Sequence, residues 1–458
     1  MNIRFLIAIL IAAVGLVSCS SSSFNTDVPV GQADIPSHYT DTSSLAFFQG
    51  NAVAVWEKIL PFSTTRLNSM LATTTDPTAR AWVQLALIAK QKNIDTPTFA
   101  KKLLAWREQN PAHPANQLFS DNRVLTQLQS TSPPQQIAIL LPQNGTYQNA
   151  GQTVREGILN AYYTNLPHVG HQQVKFYDTT QASVITLYQR ASAEGADFII
   201  GPLIKEDVQQ LRQLNNFNKP TLSLNYTNNS AITNFYEFGL LPEDEITQIA
   251  NRAHQSGFSR ALVIAPQNAW GKRLVSALSS HWQTLGGSIQ GSWYYTSPVN
   301  FNQEIAKFLK VNPDADRKLM QENNDKTLLA HQRRQDFDVI FLFSQPAYAR
   351  LIVPLLRYYY VSDTPIFATS SVYAGKPDPA KDADLNGVII CDIPRAPGKA
   401  GNRLYAVGQD AYRLSQSIPR LVAMPSFPLY GATGALLLSP QQQIHRRIPC
   451  VPVQNGLI

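Results

Sequence analysis

The sequence predicts an α/β protein whose main body has two lobes, each built on a parallel, doubly wound sheet, with a short all-helical segment before it. From residue 135 onward, short apolar runs typical of strands buried on both faces alternate with helix-like stretches. These units are too many for one ordinary domain, so we expect two lobes facing each other across a cleft. Before Ser132-Pro133-Pro134, apolar residues recur instead at helical intervals.

The first residues have the features of a lipoprotein signal. A short cationic start containing Arg4 precedes the apolar run 5–17, which is too short to span a bilayer as a helix. The run ends in Leu-Val-Ser-Cys at 16–19, the pattern of a bacterial lipobox. The alternative is an ordinary cleaved signal with an incidental cysteine, but an A-x-A-like site is absent. We therefore predict a signal peptide over 1–18 and lipid attachment at Cys19.

The residues after Cys19 indicate where the lipid holds the protein. Ser20 stands where inner-membrane lipoproteins commonly carry a retention aspartate, so placement in the outer membrane, facing the periplasm, is favoured. Residues 19–43 are polar, contain prolines and lack a periodic apolar pattern, which is typical of a flexible tether. About 20 extended residues reach roughly 70 Å.

Residues 44–130 carry the pattern of short amphipathic helices joined by turns. Apolar residues recur at helical spacing over 46–60, 79–88 and 96–106, and Asn110-Pro111 ends the third stretch. The pattern favours a helical-hairpin array resembling tetratricopeptide repeats (TPR-like).

Residues 135–458 are predicted to form the two lobes. The strands expected in the first lobe are 137–141, 174–177, 198–200, 221–224 and 236–238, with helices over 151–163, 183–193 and 205–214. The strands expected in the second lobe are 261–264, 293–295, 339–343, 365–368 and 387–390, with helices after Pro242, from a Trp270-Gly271 turn to 284, and over 404–414. Glu243, Asp244 and Glu245 fall in the first turn of the helix after Pro242, where carboxylates suit the dipole, so capping is expected rather than catalysis.

Charge and motifs exclude two functional classes. The chain has 38 lysines and arginines against 31 acidic residues, a net charge of +7, and its cations are scattered, with Arg333-Arg334 and Arg446-Arg447 as notable pairs. A nucleic-acid-binding protein would cluster them and interleave aromatic residues. The nucleophile-elbow, zinc-protease and P-loop motifs are absent from the sequence, which argues against an enzyme and against a bound cofactor.

Cys391 and Cys450 are the other two cysteines of the chain, and export would place them in an oxidising compartment. We predict a disulfide between them; two separate buried thiols are the alternative. No histidine or cysteine stands nearby at a ligand spacing, and His168 and His171 are expected in a surface loop, so no metal site is predicted.

Six residues at the carboxyl ends of the first-lobe strands are candidates for a ligand site in the cleft, because ligands of open α/β sheets bind there. They are Gln143, Asn144, Gly145, Gly201, Asn225 and Tyr226. Glycines and asparagines are also ordinary turn residues, so each position has a structural explanation as well. Whether the cleft takes a small molecule therefore stays open.

Several stretches of the chain resemble the LppC family of outer-membrane lipoproteins, which activate class A penicillin-binding proteins. They are IAILLP (137–142), AGQTVREGILNAYY (150–163), IIGPL (199–203), LPEDE (241–245), ALVIAPQNAWGKR (261–273), RRQDFDVIFLF (333–343), ARLIVPLLRYYY (349–360) and ATSSVYAGKPDPAKDADLNGV (368–388). The stretch WREQNPAHPAN (106–116) is similar to the end of that family's N-terminal domain, which is short in this chain.

The resemblance implies a type I periplasmic-binding-protein fold, in which the chain crosses between the lobes three times at a hinge. It also implies a non-enzymatic regulator of peptidoglycan synthesis that binds and activates a class A penicillin-binding protein, a peptidoglycan synthase. Arg333 and Arg334 are candidate partner contacts; solvated surface charges are the alternative. The competing function is a periplasmic solute-binding lipoprotein that captures an amino acid, peptide or muropeptide in the cleft.

Overall fold

The computed structural model describes residues 45–119, 121–227, 230–323, 333–359, 361–375, 378–394 and 402–457. The predicted signal peptide, Cys19 and the tether lie outside the described residues. Within the described ranges, no helix combines the length and the hydropathy needed to cross a bilayer.

The chain begins with five α-helices where the sequence predicted three helical stretches. They are α1 (Ala52–Ile59), α2 (Thr64–Thr73), α3 (Pro77–Ala89), α4 (Thr96–Gln109) and α5 (Asn122–Gln129). Helices α2 and α5 were not predicted, because each buries only two side chains, too few to produce a clear apolar period in the sequence. Asp76, Asp95 and Asp121 cap α3, α4 and α5, each accepting a hydrogen bond from a backbone N–H of the first turn.

The first lobe is a five-stranded parallel sheet with helices packed on it. Its elements are β1 (Gln136–Leu141), α6 (Gln148–Val169), β2 (Gln173–Asp178), α7 (Val184–Ala193), β3 (Phe198–Ile200), α8 (Lys205–Leu211), β4 (Thr221–Ser223) and β5 (Phe235–Glu237). The strand order is β2-β1-β3-β4-β5, and every pairing is parallel. Ile139 and Ile200 are fully buried, as expected for strands covered on both faces.

The second lobe is a six-stranded sheet with one antiparallel edge strand. Its elements are α9 (Pro242–Gln255), β6 (Arg260–Pro266), α10 (Ala269–Thr284), β7 (Ser288–Tyr295), α11 (Phe301–Phe308), α12 (Pro313–Asn323), β8 (Val339–Leu342), α13 (Pro346–Tyr358), β9 (Ile366–Thr369), α14 (Pro379–Asp382) and β10 (Ile389–Cys391), completed by β14 (Cys450–Pro452). The order is β14-β10-β9-β8-β6-β7, with β14 antiparallel to β10. The prediction of an α/β protein with parallel sheets is confirmed.

The expected turn at Trp270-Gly271 is wrong. Both residues lie inside α10, which begins at Ala269 because the side chain of Asn268 caps the helix by accepting a hydrogen bond from the backbone N–H of Gly271 at 2.8 Å.

After β10 the chain returns to the first lobe, which corrects one further expectation. The helix predicted at 404–414 runs as α15 (Arg403–Ala423), and its Val407, Ala411 and Leu414 join the first-lobe core rather than the second. Residues 444–447 form β13 (Ile444–Arg447), in a small antiparallel sheet with β11 (Leu429–Tyr430) and β12 (Ala435–Leu438), and β14 alone joins the second sheet.

This order of elements makes the chain cross between the lobes three times. The crossings fall between β5 and α9, between β10 and α15, and between β13 and β14. The disulfide between Cys391 and Cys450 stands at the third crossing and joins β10 to β14, whose two cysteines are paired in register.

The helical segment shares its apolar core with the loop that follows α15. Met424 and Phe427 are buried in that core, where the ring of Phe427 lies 4.9 Å from that of Trp56. The indole nitrogen of Trp56 donates a hydrogen bond of 2.7 Å to the carbonyl oxygen of Ser426. The helices therefore complete their core with residues more than 300 positions away in the sequence.

Candidate functional site

The candidate site lies where the three crossings meet the carboxyl ends of the first-lobe strands. The loop after β1 is held by one carboxylate. Asp178, at the end of β2, accepts hydrogen bonds from the backbone N–H of Gln143 at 3.0 Å and from the side-chain amide of Asn144 at 2.9 Å. Burial opposes ionisation of Asp178, but the hydrogen bonds from Thr180, Gln143 and Asn144 outweigh it and lower its pKa. These two candidates therefore have a structural partner, while Gly145 supplies a positive φ of 74° in the same loop.

Gly201 serves backbone packing. Its φ is +105°, and a Cβ at this position would stand 2.2 Å from the carbonyl oxygen of Leu140 on the neighbouring strand. Only glycine fits so close to that strand in this conformation.

Asn225 and Tyr226 are the two candidates that line a cavity between the lobes. The cavity has a volume of about 240 Å³, and its wall also includes Lys205 from the first lobe and Glu243 and Arg273 from the second. The Asn225 amide donates to the carbonyl of Leu203 at 3.2 Å, and the Tyr226 hydroxyl donates to the carbonyl of Ile444 at 2.5 Å. The polar groups of both residues are thus engaged by the protein itself.

A largely buried polar cluster at the first and third crossings was not predicted from the sequence. We call Asp244, Glu245, Ser370, His445 and Arg446 the crossing cluster. Asp244 accepts a hydrogen bond of 2.9 Å from the backbone N–H of Arg446, and its other oxygen lies 2.8 Å from Nδ1 of His445. The first turn of α9 in the second lobe is thereby bonded to β13 of the small sheet.

Glu245 extends the cluster toward the second sheet. It accepts hydrogen bonds from the backbone N–H and the hydroxyl of Ser370, at 2.8 and 2.9 Å, and lies 3.7 Å from the guanidinium of Arg446. Burial raises the pKa of Glu245, and the charge of Arg446 opposes that rise. Arg446 is itself only 1% exposed, so the cluster is buried around Arg446, whereas the side chain of His445 is 39% exposed.

A second group of hydrogen bonds spans the crossing between β10 and α15. Arg403 donates two hydrogen bonds to the carboxylate of Asp392, at 2.8 and 2.5 Å, and a third to the carbonyl of Ser370 at 3.0 Å. Bidentate arginine–carboxylate pairs are among the strongest polar contacts in proteins. The two lobes are consequently held together by charged, mostly buried contacts at every crossing.

The acidic trio and the Arg446-Arg447 pair were visible in the sequence, but their meeting was not. Asp244 and Arg446 stand 202 residues apart, and no local pattern links positions that far apart. The capping role expected for the trio is too narrow, because its second and third members hold the lobes together.

Arg333 and Arg334 do not form an exposed contact surface, which corrects the expectation for them. The Arg333 side chain is 5% exposed and forms an ion pair of 2.8 Å with Asp363; that of Arg334 is 9% exposed and pairs with Asp336 at 2.6 Å. Both guanidinium groups are already bonded within the second lobe. Within the described ranges, no group of three or more potential ligands forms a metal site.

Two lobes on parallel sheets, three crossings and a cavity at the strand ends define a two-lobed protein of the periplasmic-binding-protein type. The chain belongs to the family described as "LppC putative lipoprotein", whose model matches residues 41–456.

Three relatives illustrate the family. The penicillin-binding protein activator LpoA of Photobacterium profundum is 26% identical over 421 residues, covering 86% of this chain and 68% of its own length. The structure of full-length LpoA from Haemophilus influenzae has a TM-score of 0.58 at 24% identity, covering 90% of this chain and 74% of that one. The C-domain of LpoA from the same organism, described as a regulator of PBP1A, has a TM-score of 0.56 at 26% identity, covering 70% of this chain and 98% of that one.

Proposed function

We propose that this lipoprotein is a non-enzymatic regulator of peptidoglycan synthesis that binds a class A penicillin-binding protein and raises its activity. The observation that carries the proposal is the family match over 41–456. The relatives that align with most of the chain support it, since they are called penicillin-binding protein activators, and one a regulator of PBP1A.

The geometry of the crossings is consistent with a binding role. Hydrogen bonds at the crossings restrain movement between the two lobes. The lobes can then present their outer surface to a partner as one rigid body. An activator must bind the active conformation of the synthase more tightly than the inactive one, because equal affinity would shift nothing. A rigid protein achieves that selectivity without losing conformational entropy, because its own side chains and loops do not have to become ordered on binding.

The proposal also includes a location. Lipid on Cys19 would hold the chain in the outer membrane, facing the periplasm, and the polar tether would let the folded body reach synthases anchored in the opposite membrane. The support is the lipobox, the serine after the cysteine and the length of the tether.

The direct test is a cross-linking assay with purified synthase and its lipid-linked disaccharide-peptide substrate, with and without the protein. We expect more peptide cross-links per unit time and a complex detectable by pull-down. A solute-binding protein of the same fold is the matched control and should change nothing. Unaltered cross-linking across several class A synthases, with no complex, would refute the proposal.

The solute-binding alternative is favoured by one observation, the 240 Å³ cavity between the lobes. Pockets for larger ligands begin at about 300 Å³, so a cavity of about 240 Å³ suits a single amino acid. A thermal-shift screen with amino acids and muropeptides separates the two functions. A specific shift that Asn225→Ala abolishes would support solute capture, whereas melting that no compound changes would leave the activator proposal alone.

A further inference from the structure

We infer that the helical segment carries a basic surface that binds the carboxylates of peptidoglycan itself. We call Lys90, Lys92, Lys101 and Lys102 the lysine rim. The inference rests on the proposed function, because it is the location facing the periplasm that brings this surface to the cell-wall polymer.

The first observation is the distribution of charge along the chain. Residues 45–130 contain nine lysines and arginines against five acidic residues, a net charge of +4 over 86 residues. Residues 135–458 contain 28 against 23, a net charge of +5 over 324 residues. The net positive charge per residue is therefore about three times higher in the helical segment than in the lobes, and its electrostatic field attracts anions.

The second observation is that four of the five acidic residues of the segment are already engaged. Asp76, Asp95 and Asp121 accept backbone hydrogen bonds as helix caps, and Glu57 forms an ion pair of 2.6 Å with Arg447. A cap carboxylate is held toward its own helix end by those bonds. That leaves Glu108, exposed near the end of α4, as the one carboxylate of the segment outside those contacts.

The third observation is that the lysines converge. Gln91, just after α3, meets the middle of α4 at the rim, where the ammonium of Lys102 donates a hydrogen bond of 2.6 Å to the side-chain oxygen of Gln91. Lys90 and Lys92 stand on either side of Gln91 in the sequence. Among the described residues, Lys92 and Lys101 have no hydrogen-bond or ion-pair partner, and both are exposed. Two carboxylates lie within the stretch 90–109: Asp95, which caps α4, and Glu108 near the end of that helix.

Lys90 is the partly buried member of the rim and has a lowered pKa. Its ammonium lies 4.4 Å from the ring centre of Tyr430, and burial together with the charge of Lys92 lowers its pKa to about 8. An anion bound at the rim would relieve the repulsion and favour the charged form of Lys90. Anion binding at the rim and protonation of Lys90 should therefore favour each other.

The chemistry of peptidoglycan fits such a surface. Its stem peptides carry free carboxylates at regular intervals along a glycan strand, so that one strand offers several anions to a row of lysines. Each contact is weak and screened by salt, but several together hold a polymer.

Co-sedimentation with purified peptidoglycan sacculi tests the inference, using the full-length lipoprotein in detergent. In the charge-removing variant Lys92→Gln/Lys101→Gln/Lys102→Gln, the fraction of protein that sediments should be about fivefold lower than in the wild type, or lower still. Replacing the same three residues with arginine should preserve binding, because the charge is kept. Replacing the exposed Lys272, Lys307 and Lys318 of the second lobe with glutamine removes equal charge elsewhere and should also preserve it.

Two further measurements probe the chemistry. Wild-type binding should weaken with salt and strengthen as the pH falls from about 9 to about 7, since protonation of Lys90 is coupled to anion binding. Sacculi whose carboxylates have been converted to amides should fail to sediment the protein. Equal sedimentation of the glutamine and wild-type proteins, or undiminished binding to amidated sacculi, would overturn the inference.

The cross-linking assay keeps this inference separate from the proposed function. If the protein activates a synthase in solution but does not sediment with sacculi, the lysine rim has no such role and the activator proposal stands. If it sediments as expected but activates no synthase, the proposed function fails and the peptidoglycan-binding surface remains.

Discussion

Three consecutive carboxylates at the start of α9 occupy very different environments. Glu243 is partly exposed and pairs with Arg273 at 2.8 Å, whereas Asp244 and Glu245 are 6% and 7% exposed and bonded to other parts of the chain. A helix turn directs successive side chains about 100° apart, so neighbours in sequence face solvent, the small sheet and the second sheet in turn. The contribution of each carboxylate to the free energy of unfolding therefore depends on which of these environments its side chain faces.

Replacing Asp244 with asparagine should destabilise the protein strongly. The change leaves the buried guanidinium of Arg446 with less compensating charge, and breaking a buried ion pair costs about 3–5 kcal/mol. Glu243→Gln is the matched control, because its exposed pair contributes below about 1 kcal/mol. Thermal unfolding of both variants checks this, and equal melting temperatures would contradict the importance of the cluster.

His445 should make the crossing cluster sensitive to pH. Its hydrogen bond with Asp244 raises its pKa above the ordinary 6.5, against the effect of burial. A raised folded-state pKa stabilises the protein fully below the unfolded pKa, and this stabilisation disappears as pH rises through the folded pKa. The difference in melting temperature between wild type and His445→Gln should therefore be largest below about pH 6.5 and shrink at higher pH. A difference that grows toward alkaline pH would reverse the assigned cause.

At the scale of elements, the contact between α6 and α15 depends on a glycine. A Cβ at Gly157 would stand 2.0 Å from the carbonyl oxygen of Tyr405, so the two helices touch backbone to backbone. Gly157→Ala should force them apart and cost about 1–3 kcal/mol, although alanine favours helix formation. Gln152→Ala, exposed on the same helix, should be neutral or slightly stabilising. Chemical denaturation of both variants measures the difference, and a stabilised Gly157→Ala would rule out the close contact.

The loop after α15 is predicted to hold the helical segment on the lobes. Phe427 is fully buried in the core of the helices, and its truncation to alanine should cost about 3–5 kcal/mol. Because the lobes have their own cores, limited proteolysis of Phe427→Ala should cut first within 45–129. Val422→Ala, whose wild-type side chain is 55% exposed, should leave the cleavage pattern unchanged. Cleavage that begins in the lobes would show that the loop is not the attachment.

At the scale of the whole molecule, the three crossings join the two lobes. A receptor that closes on a solute needs crossings that bend, whereas here buried charged contacts span them. The cavity at the strand ends is therefore framed by elements that resist relative movement. This favours a role in which a partner recognises the outer surface.

Attachment to the membrane is predicted to depend on Cys19 alone. Cys19→Ala removes the acyl acceptor, so the protein should remain unprocessed or appear in the soluble periplasmic fraction. Inhibition of the lipoprotein signal peptidase with globomycin should make the wild-type precursor accumulate. Cell fractionation measures both effects, and a Cys19→Ala protein still recovered with outer membranes would exclude the lipobox interpretation.

Part of the site was predictable and part was not, for a physical reason. Asn225 and Tyr226 were correctly placed at the cavity, because apolar runs locate strands and ligands gather at strand ends. Arg333 and Arg334 were expected at a surface, but ion pairs with Asp363 and Asp336 bury them. Sequence alone gives no sign of whether a cation faces solvent or a partner within the protein.

The sequence by itself determined the fold class, because the period of apolar residues distinguishes buried strands from helices without reference to anything distant. It also carried the lipobox and the resemblance to its family, which are local patterns. Only the tertiary structure decided which lobe α15 joins, where the helical segment obtains the rest of its core, and that Asp244 meets Arg446. These contacts join residues hundreds of positions apart, and their energy depends on a shared burial that exists only once the whole chain has folded.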